Sequence, residues 1–186
     1  MMKLCYLVCL IILLLSRCGN TSHQVADGFD NFKIANQFVD AFYSFNKDSL
    51  KAVLSDAEES QPNIMYYQKW AECGHYEVID RGKYFERNDS VVTFPVTVKD
   101  DLMKALGINF NVTDTFYILI QHGRIRSVTN SSNDLDEYYK AKEWVKNNYT
   151  DSFEIACRDI WNGGPTPCEC IQLIVKGFAE YKAQSK

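Results

Sequence analysis

The sequence predicts an α+β domain with helices first, an antiparallel sheet after them and a helical tail. Three observations carry this. Ile34, Phe38, Phe42 and Phe45 recur at helical spacing, with Ala41 on the same side. The run DTFYILIQ (Asp114 to Gln121) meets the return run RIRSVT (Arg124 to Thr129) across His122-Gly123, the pattern of a hairpin. From Asn133 onward the apolar residues fall back to helical spacing.

The elements follow in order. Asn46 to Asp48 break the first helix, and Leu50, Val53 and Leu54 form the inner edge of a short second one. Pro62 suits the first turn of a third helix, whose apolar face is Ile64, Met65, Tyr67, Trp70 and Ala71 and whose stop is Gly74. Tyr76 to Asp80 and Tyr84-Phe85 read as short extended runs, and Asn88-Asp89-Ser90 as a turn. Val92, Phe94, Val96 and Val98 alternate with polar residues, which predicts a strand with one buried face. Pro95 lacks the N–H of a ladder hydrogen bond and so predicts an edge or a bulge there. Leu102, Met103 and Leu106 make one helical turn ended by Gly107.

After the hairpin, Asn133 is the expected cap of a helix with Leu135, Tyr138, Tyr139 and Val145 on its apolar side. Asp151 to Glu154 open a short helix with Phe153, Ile155 and Ile160, ended by Asn162 to Pro165. Thr166-Pro-Cys-Glu169 is a capping box for a final helix lined by Ile171, Ile174, Val175, Phe178 and Tyr181.

At 186 residues and 46% hydrophobic, the chain can bury a full core. A net charge of −4, with no block of lysines or arginines, argues against nucleic acid as a partner. Lys3 followed by the uncharged run Leu4 to Leu15 has a signal-peptide layout, too short to span a bilayer, which takes about 20 residues. Leu15, Ser16 and Arg17 then precede Cys18. The expected division is a signal peptide over 1–17, a tether over 18–30, a domain over 31–150 and a helical extension over 151–186. Cys18 is the expected lipidation site on a bacterial cell envelope. A signal cleaved nearby without lipid, giving a secreted protein, and an uncleaved anchor are the alternatives.

Cys5 and Cys9 fall in the signal run. Cys73, Cys157, Cys168 and Cys170 remain, and an even number in an exported domain predicts disulfides. Their pairing stays open, with Cys157 to Cys168 or Cys170 the easiest local bridge. A zinc site would need a matching histidine that the spacing does not offer, so no metal is expected. Cys168 in the first turn of a helix is also a candidate reactive thiol.

Three stretches carry a resemblance: FVDAFYSFNKDSLKAVLS (Phe38 to Ser55), VVTFPVTVKDDL (Val91 to Leu102) and DTFYILIQHGRIRSV (Asp114 to Val128). They resemble the nuclear transport factor 2-like superfamily, the cystatin-like α+β cone that includes the SnoaL-like proteins, over roughly residues 30 to 147. The resemblance implies a curved antiparallel sheet wrapped on the N-terminal helices, with an apolar pocket between them. It implies either a binding domain, often dimeric through the open sheet face, or an isomerase, dehydratase or cyclase acting on a small ring or keto substrate.

For the enzyme, chemistry requires a carboxylate base in an apolar pocket and a hydrogen-bond donor for the enolate oxygen. Asp114 is the candidate base, with Tyr43, Tyr66 or Tyr67 as donor; Asp40 and His75 are further candidates. Asp114 shares strand parity with Phe116, Ile118 and Ile120, yet stands at the expected start of its strand, where a solvated aspartate is common. No nucleophile elbow, phosphate-binding glycine loop or HExxH run is present.

Phe42, Tyr43, Tyr66, Tyr67 and Trp70 are the expected pocket lining. Asn20, Asn88, Asn111, Asn130 and Asn148 each begin an N-x-S/T triplet, the mark of a secreted glycoprotein in a eukaryotic setting. The expectation is therefore an exported, lipid-anchored domain that binds a small apolar ligand or a protein partner, without catalysis and without a cofactor. The enzyme, the glycoprotein and a structural envelope component are the rivals.

Overall fold

Three helix starts are set by short polar side chains. In the computed structural model, which describes residues 30–88, 90–158 and 168–184, Asp30 accepts from Lys33 N at 3.1 Å and opens α1 (Asn31–Tyr43). Asn46 accepts from Ser49 N at 2.9 Å and opens α2 (Lys47–Val53). Pro62 lies in the first turn of α3 (Gln61–Cys73). That helix ends at Gly74, but Gly74 keeps φ −86; the left-handed residue is His75, at φ 50. Asp100 accepts from Met103 N at 2.8 Å and opens α4 (Asp101–Ala105), after which Gly107 takes φ 64.

The strands β1 (Glu77–Arg81), β2 (Phe85–Arg87), β3 (Val91–Lys99), β4 (Val112–Gln121) and β5 (Arg124–Ser132) form one open antiparallel sheet. β3 pairs with β4 and β4 with β5, while β1 and β2 lie end to end along the other side of β3. His122 and Gly123, at φ 52 and 71, make the two-residue hairpin turn that suits the twist of its strands.

Pro95 is in a central strand rather than at an edge. It faces the break between β1 and β2: its carbonyl accepts from Gly82 N at 3.0 Å. A strand residue points its N and its carbonyl to the same side, so the missing N–H meets the gap and no ladder bond is lost.

On β4 the inward residues are Val112, Asp114, Phe116, Ile118 and Ile120, all buried. Opposite them on β3 stand Val98, Val96, Phe94 and Val92. α1 crosses this face, and Phe38 and Phe42 meet the Phe116 ring at centroid distances of 5.3 and 5.0 Å. Each such buried ring contributes about 1.5 to 3 kcal/mol.

The register of β5 shifts between Leu119 and Ile120, which lets Ile125 and Val128 both turn inward. Past Val128 the inward positions are Asn130 and Ser132, opposite Phe116 and Asp114.

Three further helices follow: α5 (Asp136–Asn148), α6 (Thr150–Ala156) and α7 (Cys168–Gln184). Asn133 does not cap α5; its side chain accepts from Thr113 N at 2.6 Å, and the cap position is Leu135. Tying the sheet end leaves that side chain unable to turn toward the helix. Ile155, expected on an inner face, is 73% exposed, while Phe153 is buried. The residues before Asp30, the signal run and Cys18 among them, Ile160, the turn at 162–165 and the first two residues of the capping box (166 and 167) lie outside the described residues.

α7 packs on α3, α4, α5 and α6, and Ile171, Ile174 and Phe178 are fully buried in the same core as Phe116. The core is thus continuous across the boundary drawn at residue 150. Two disulfides join the helices, Cys73–Cys168 and Cys157–Cys170. Cys168 is therefore half of a bridge and not a reactive thiol.

A Cβ on Gly177 would stand 2.4 Å from Val145 Cγ2. Gly177→Ala should lose about 1 to 3 kcal/mol by overpacking, against about 1 kcal/mol of gained helix propensity. Urea unfolding checks this, and adding Val145→Ala should recover part of the loss. A midpoint raised by the full propensity gain would mean that α5 and α7 separate freely.

Candidate ligand-binding site

The site begins with the placement of α3. Gln68 is buried and its amide donates to the carbonyls of Ala41 and Phe42, at 3.1 and 2.9 Å. Ser60, just ahead of the helix, accepts from Val128 N at 3.0 Å. These bonds hold α3 between the end of α1 and β5. Tyr66, Tyr67 and Trp70 then line a cavity of about 210 Å3. Asn130 and Ser132 of β5 face it, Tyr76 enters from the segment after α3, and Asp134, Tyr138, Tyr139 and Lys142 complete it from the α5 side.

A larger groove of about 590 Å3 runs past Asp48, Lys51, Ser55 and Glu58. It is shallower and carries no aromatic ring, so it lacks the walls of a small-molecule site.

Asp114 lies at the base of the aromatic wall. It is fully buried; Tyr67 donates to Oδ1 at 2.5 Å and Tyr43 to Oδ2 at 3.0 Å. Burial pushes its carboxyl up to about 6, although hydrogen bonds from Tyr67, Tyr43 and Ser132 pull it back. Sequence placed Asp114 at a solvated strand start. The strand begins at Val112, two residues earlier, so the carboxylate falls inside the core face.

Asp100 is likewise raised to about 6 by burial, and the backbone N–H groups of Met103 and Leu102 oppose the shift. Asp134 is raised by burial, while Ser132, Lys142 and Tyr139 favour its ionised form. Lys142 is lowered to about 8 by burial, with Asp134 holding it up. Its Nζ stands 5.8 Å from the Trp70 ring centroid and 5.7 Å from that of Tyr138. Tyr76 is pushed well up, first by burial and then by the charges of Asp100, Asp114 and Asp134.

Of the five expected lining residues, Tyr66, Tyr67 and Trp70 meet at the cavity. Phe42 is instead fully buried between Phe116 and Tyr67, and Tyr43 reaches Asp114. Asp40 is exposed and pairs with Arg81 at 2.6 Å. His75 is 76% exposed at its side chain and pairs with Asp101 at 2.6 Å. Neither lines the cavity.

The residues that the sequence reading missed are Tyr76, Asn130, Ser132, Asp134, Tyr138, Tyr139 and Lys142. One signal for them existed: Asn130 and Ser132 continue the inward parity of Val128 with polar side chains, as a strand does where it leaves its core and borders a cavity. Among the described residues no group of three or more His, Cys, Asp or Glu is placed to hold a metal ion, and no helix is long and apolar enough to cross a membrane.

The fold and site define an α+β domain with an open five-stranded antiparallel sheet, seven helices among the described residues, and an aromatic-walled pocket over one end of the sheet. Set against family models, curated proteins and solved structures, the chain finds no match.

Proposed function

We propose that this chain is an exported, lipid-anchored domain of the nuclear transport factor 2-like kind that holds a small molecule in the aromatic pocket without transforming it. The observation that carries the reading is the pocket's construction. Rings of Tyr66, Tyr67, Trp70 and Tyr138 wall it, and a few polar groups converge on it, the usual anatomy of a ligand site. Asp114 favours binding over catalysis. A buried carboxylate with both oxygens accepting from tyrosines braces the wall and is not offered to a substrate.

Two disulfides support an oxidising, exported setting. In this reading the signal-like run directs export and is removed, and lipid on Cys18 supplies the anchor. A protein partner would find its surface on the outer sheet face, where Thr97, Thr113, Thr115 and Tyr117 are half-buried and uncharged.

Native mass spectrometry of protein purified gently from its host's membranes tests the reading. The expected result is a mass starting at Cys18 with a diacylglycerol-type adduct and a retained small molecule, the latter missing from Tyr139→Ala. Empty protein that also shows no thermal shift with any small molecule would sink the ligand reading.

One observation favours the enzyme as a second reading. Asp134 lines the pocket with a raised carboxyl beside tyrosine hydroxyls, the base-and-donor pair that a keto substrate requires. Turnover of a ring or keto compound, abolished in Asp134→Asn while binding persists, would establish it.

A further inference from the structure

We propose that the pocket takes a small organic ammonium ion, and that the Lys142 ammonium occupies that ion's place in the empty protein. The inference rests on the ligand-binding reading above and names its ligand class. Lys142 Nζ lies within cation–π range of two rings that line the cavity, at 5.8 Å from Trp70 and 5.7 Å from Tyr138. The chain thus sets an ammonium against the faces of these rings, and Asp134 holds its charge against the cost of burial. Asp134 borders the same cavity, and its charge acts on Lys142.

The surrounding balance is negative. Asp100, Asp114 and Asp134 all act on Tyr76, which lines the cavity. Of these carboxyls Asp134 lines the cavity itself, and Asp100 and Asp114 add their charge from behind the Tyr76 wall.

Other ligand classes fit less well. An anion would meet Lys142, but also Asp134 and the negative faces of the rings. An aliphatic molecule would strip water from Asp134, Asn130 and Ser132 and return no hydrogen bond. An alkylammonium satisfies the rings and the carboxylate together.

The space is adequate: about 210 Å3 is several times the roughly 30 Å3 share of one water molecule. Lys142 is half-buried on a flexible four-carbon stem, so its head can withdraw toward solvent when a ligand enters.

Calorimetric titration with choline, with its neutral carbon isostere 3,3-dimethylbutan-1-ol and with benzoate tests the proposal on the mature exported chain. Choline should bind about tenfold or more tighter than the alcohol. Asp134→Asn should weaken choline about tenfold, whereas Lys142→Met should strengthen it several-fold by removing the resident cation. Near-UV circular dichroism verifies that both variants are folded.

Equal affinity for choline and the alcohol would overturn the proposal, and so would loss of choline binding in Lys142→Met. Binding of the alcohol or benzoate without choline, abolished by Tyr139→Ala, would overturn the ammonium inference and leave the ligand pocket standing. Binding of none of the three would count against both.

Discussion

Replacing Cys73 and Cys168 with serine is expected to lower stability by about 4 to 5 kcal/mol. The bridge closes a loop with a sequence separation of 95, and the entropy returned to the unfolded chain on opening so long a loop is of that size. A domain of this kind holds only about 5 to 15 kcal/mol in all, so the variant should sit close to its unfolding threshold. Opening Cys157–Cys170, with a separation of 13, should cost about 3 kcal/mol.

The longer bridge also bears on the pocket. Cys73 ends α3, the helix that carries Tyr66, Tyr67 and Trp70, and the bond pins that helix to α7. Ligand binding should therefore weaken along with stability. Urea unfolding of the oxidised chain and of the serine pair measures the difference. A loss below about 1 kcal/mol would mean that the unfolded chain is already compact around this bridge.

The second large effect is a fall in stability as pH rises from about 4 to about 6. Asp114 and Asp100 are held near 6 in the folded chain, against about 3.9 when unfolded. Through that window the unfolded chain has released protons that the folded chain keeps. Folding is therefore favoured most at the acid end, and the advantage is gone above about pH 6. For each group the shift corresponds to about 2 to 3 kcal/mol.

Asp114→Asn isolates one share of this. The amide keeps the shape and cannot ionise, so the difference in unfolding free energy between pH 4 and pH 7 should move by about 2 to 3 kcal/mol relative to the parent. At pH 7 the variant should be at least as stable as the parent. Unfolding curves at four pH values decide this. A variant markedly weaker than the parent at pH 7 would show that the tyrosine bonds to the charged carboxylate outweigh its burial.

Much of the architecture was legible from local pattern. The helical spacing of Ile34, Phe38 and Phe42, the alternation through Val92 to Val98 and the His122-Gly123 turn each depend on residues close in the chain, so each could be read directly. Where several groups compete for one side chain, local reading failed. Asn133 is a good cap by type, yet the sheet end claims it through Thr113 N. Pro95 is disruptive by type, yet the break between β1 and β2 meets its missing donor.

The site divides in the same way. Tyr66, Tyr67 and Trp70 come from one helix; spacing put Tyr67 and Trp70 on its apolar face, and Tyr66 joined them only as a neighbouring aromatic. Tyr138, Tyr139 and Lys142 come from another helix, beyond all five strands, and no local pattern relates the two groups. Asp114 is the sharpest case. Parity gave it the inner face, but only the pairing of β4 between β3 and β5 set Val96 and Ser132 at its sides and two tyrosines on its oxygens.

By itself, the sequence determined the order and period of the elements, the hairpin, and four cysteines beyond the N-terminal segment that were available to pair. The tertiary structure decided which cysteines pair, which carboxylates are buried, and where aromatic walls close on a cavity. The physical reason is range. Helical and strand periods arise from interactions a few residues long, whereas a disulfide partner, a desolvated charge or a pocket wall depends on groups that meet only after the chain has packed.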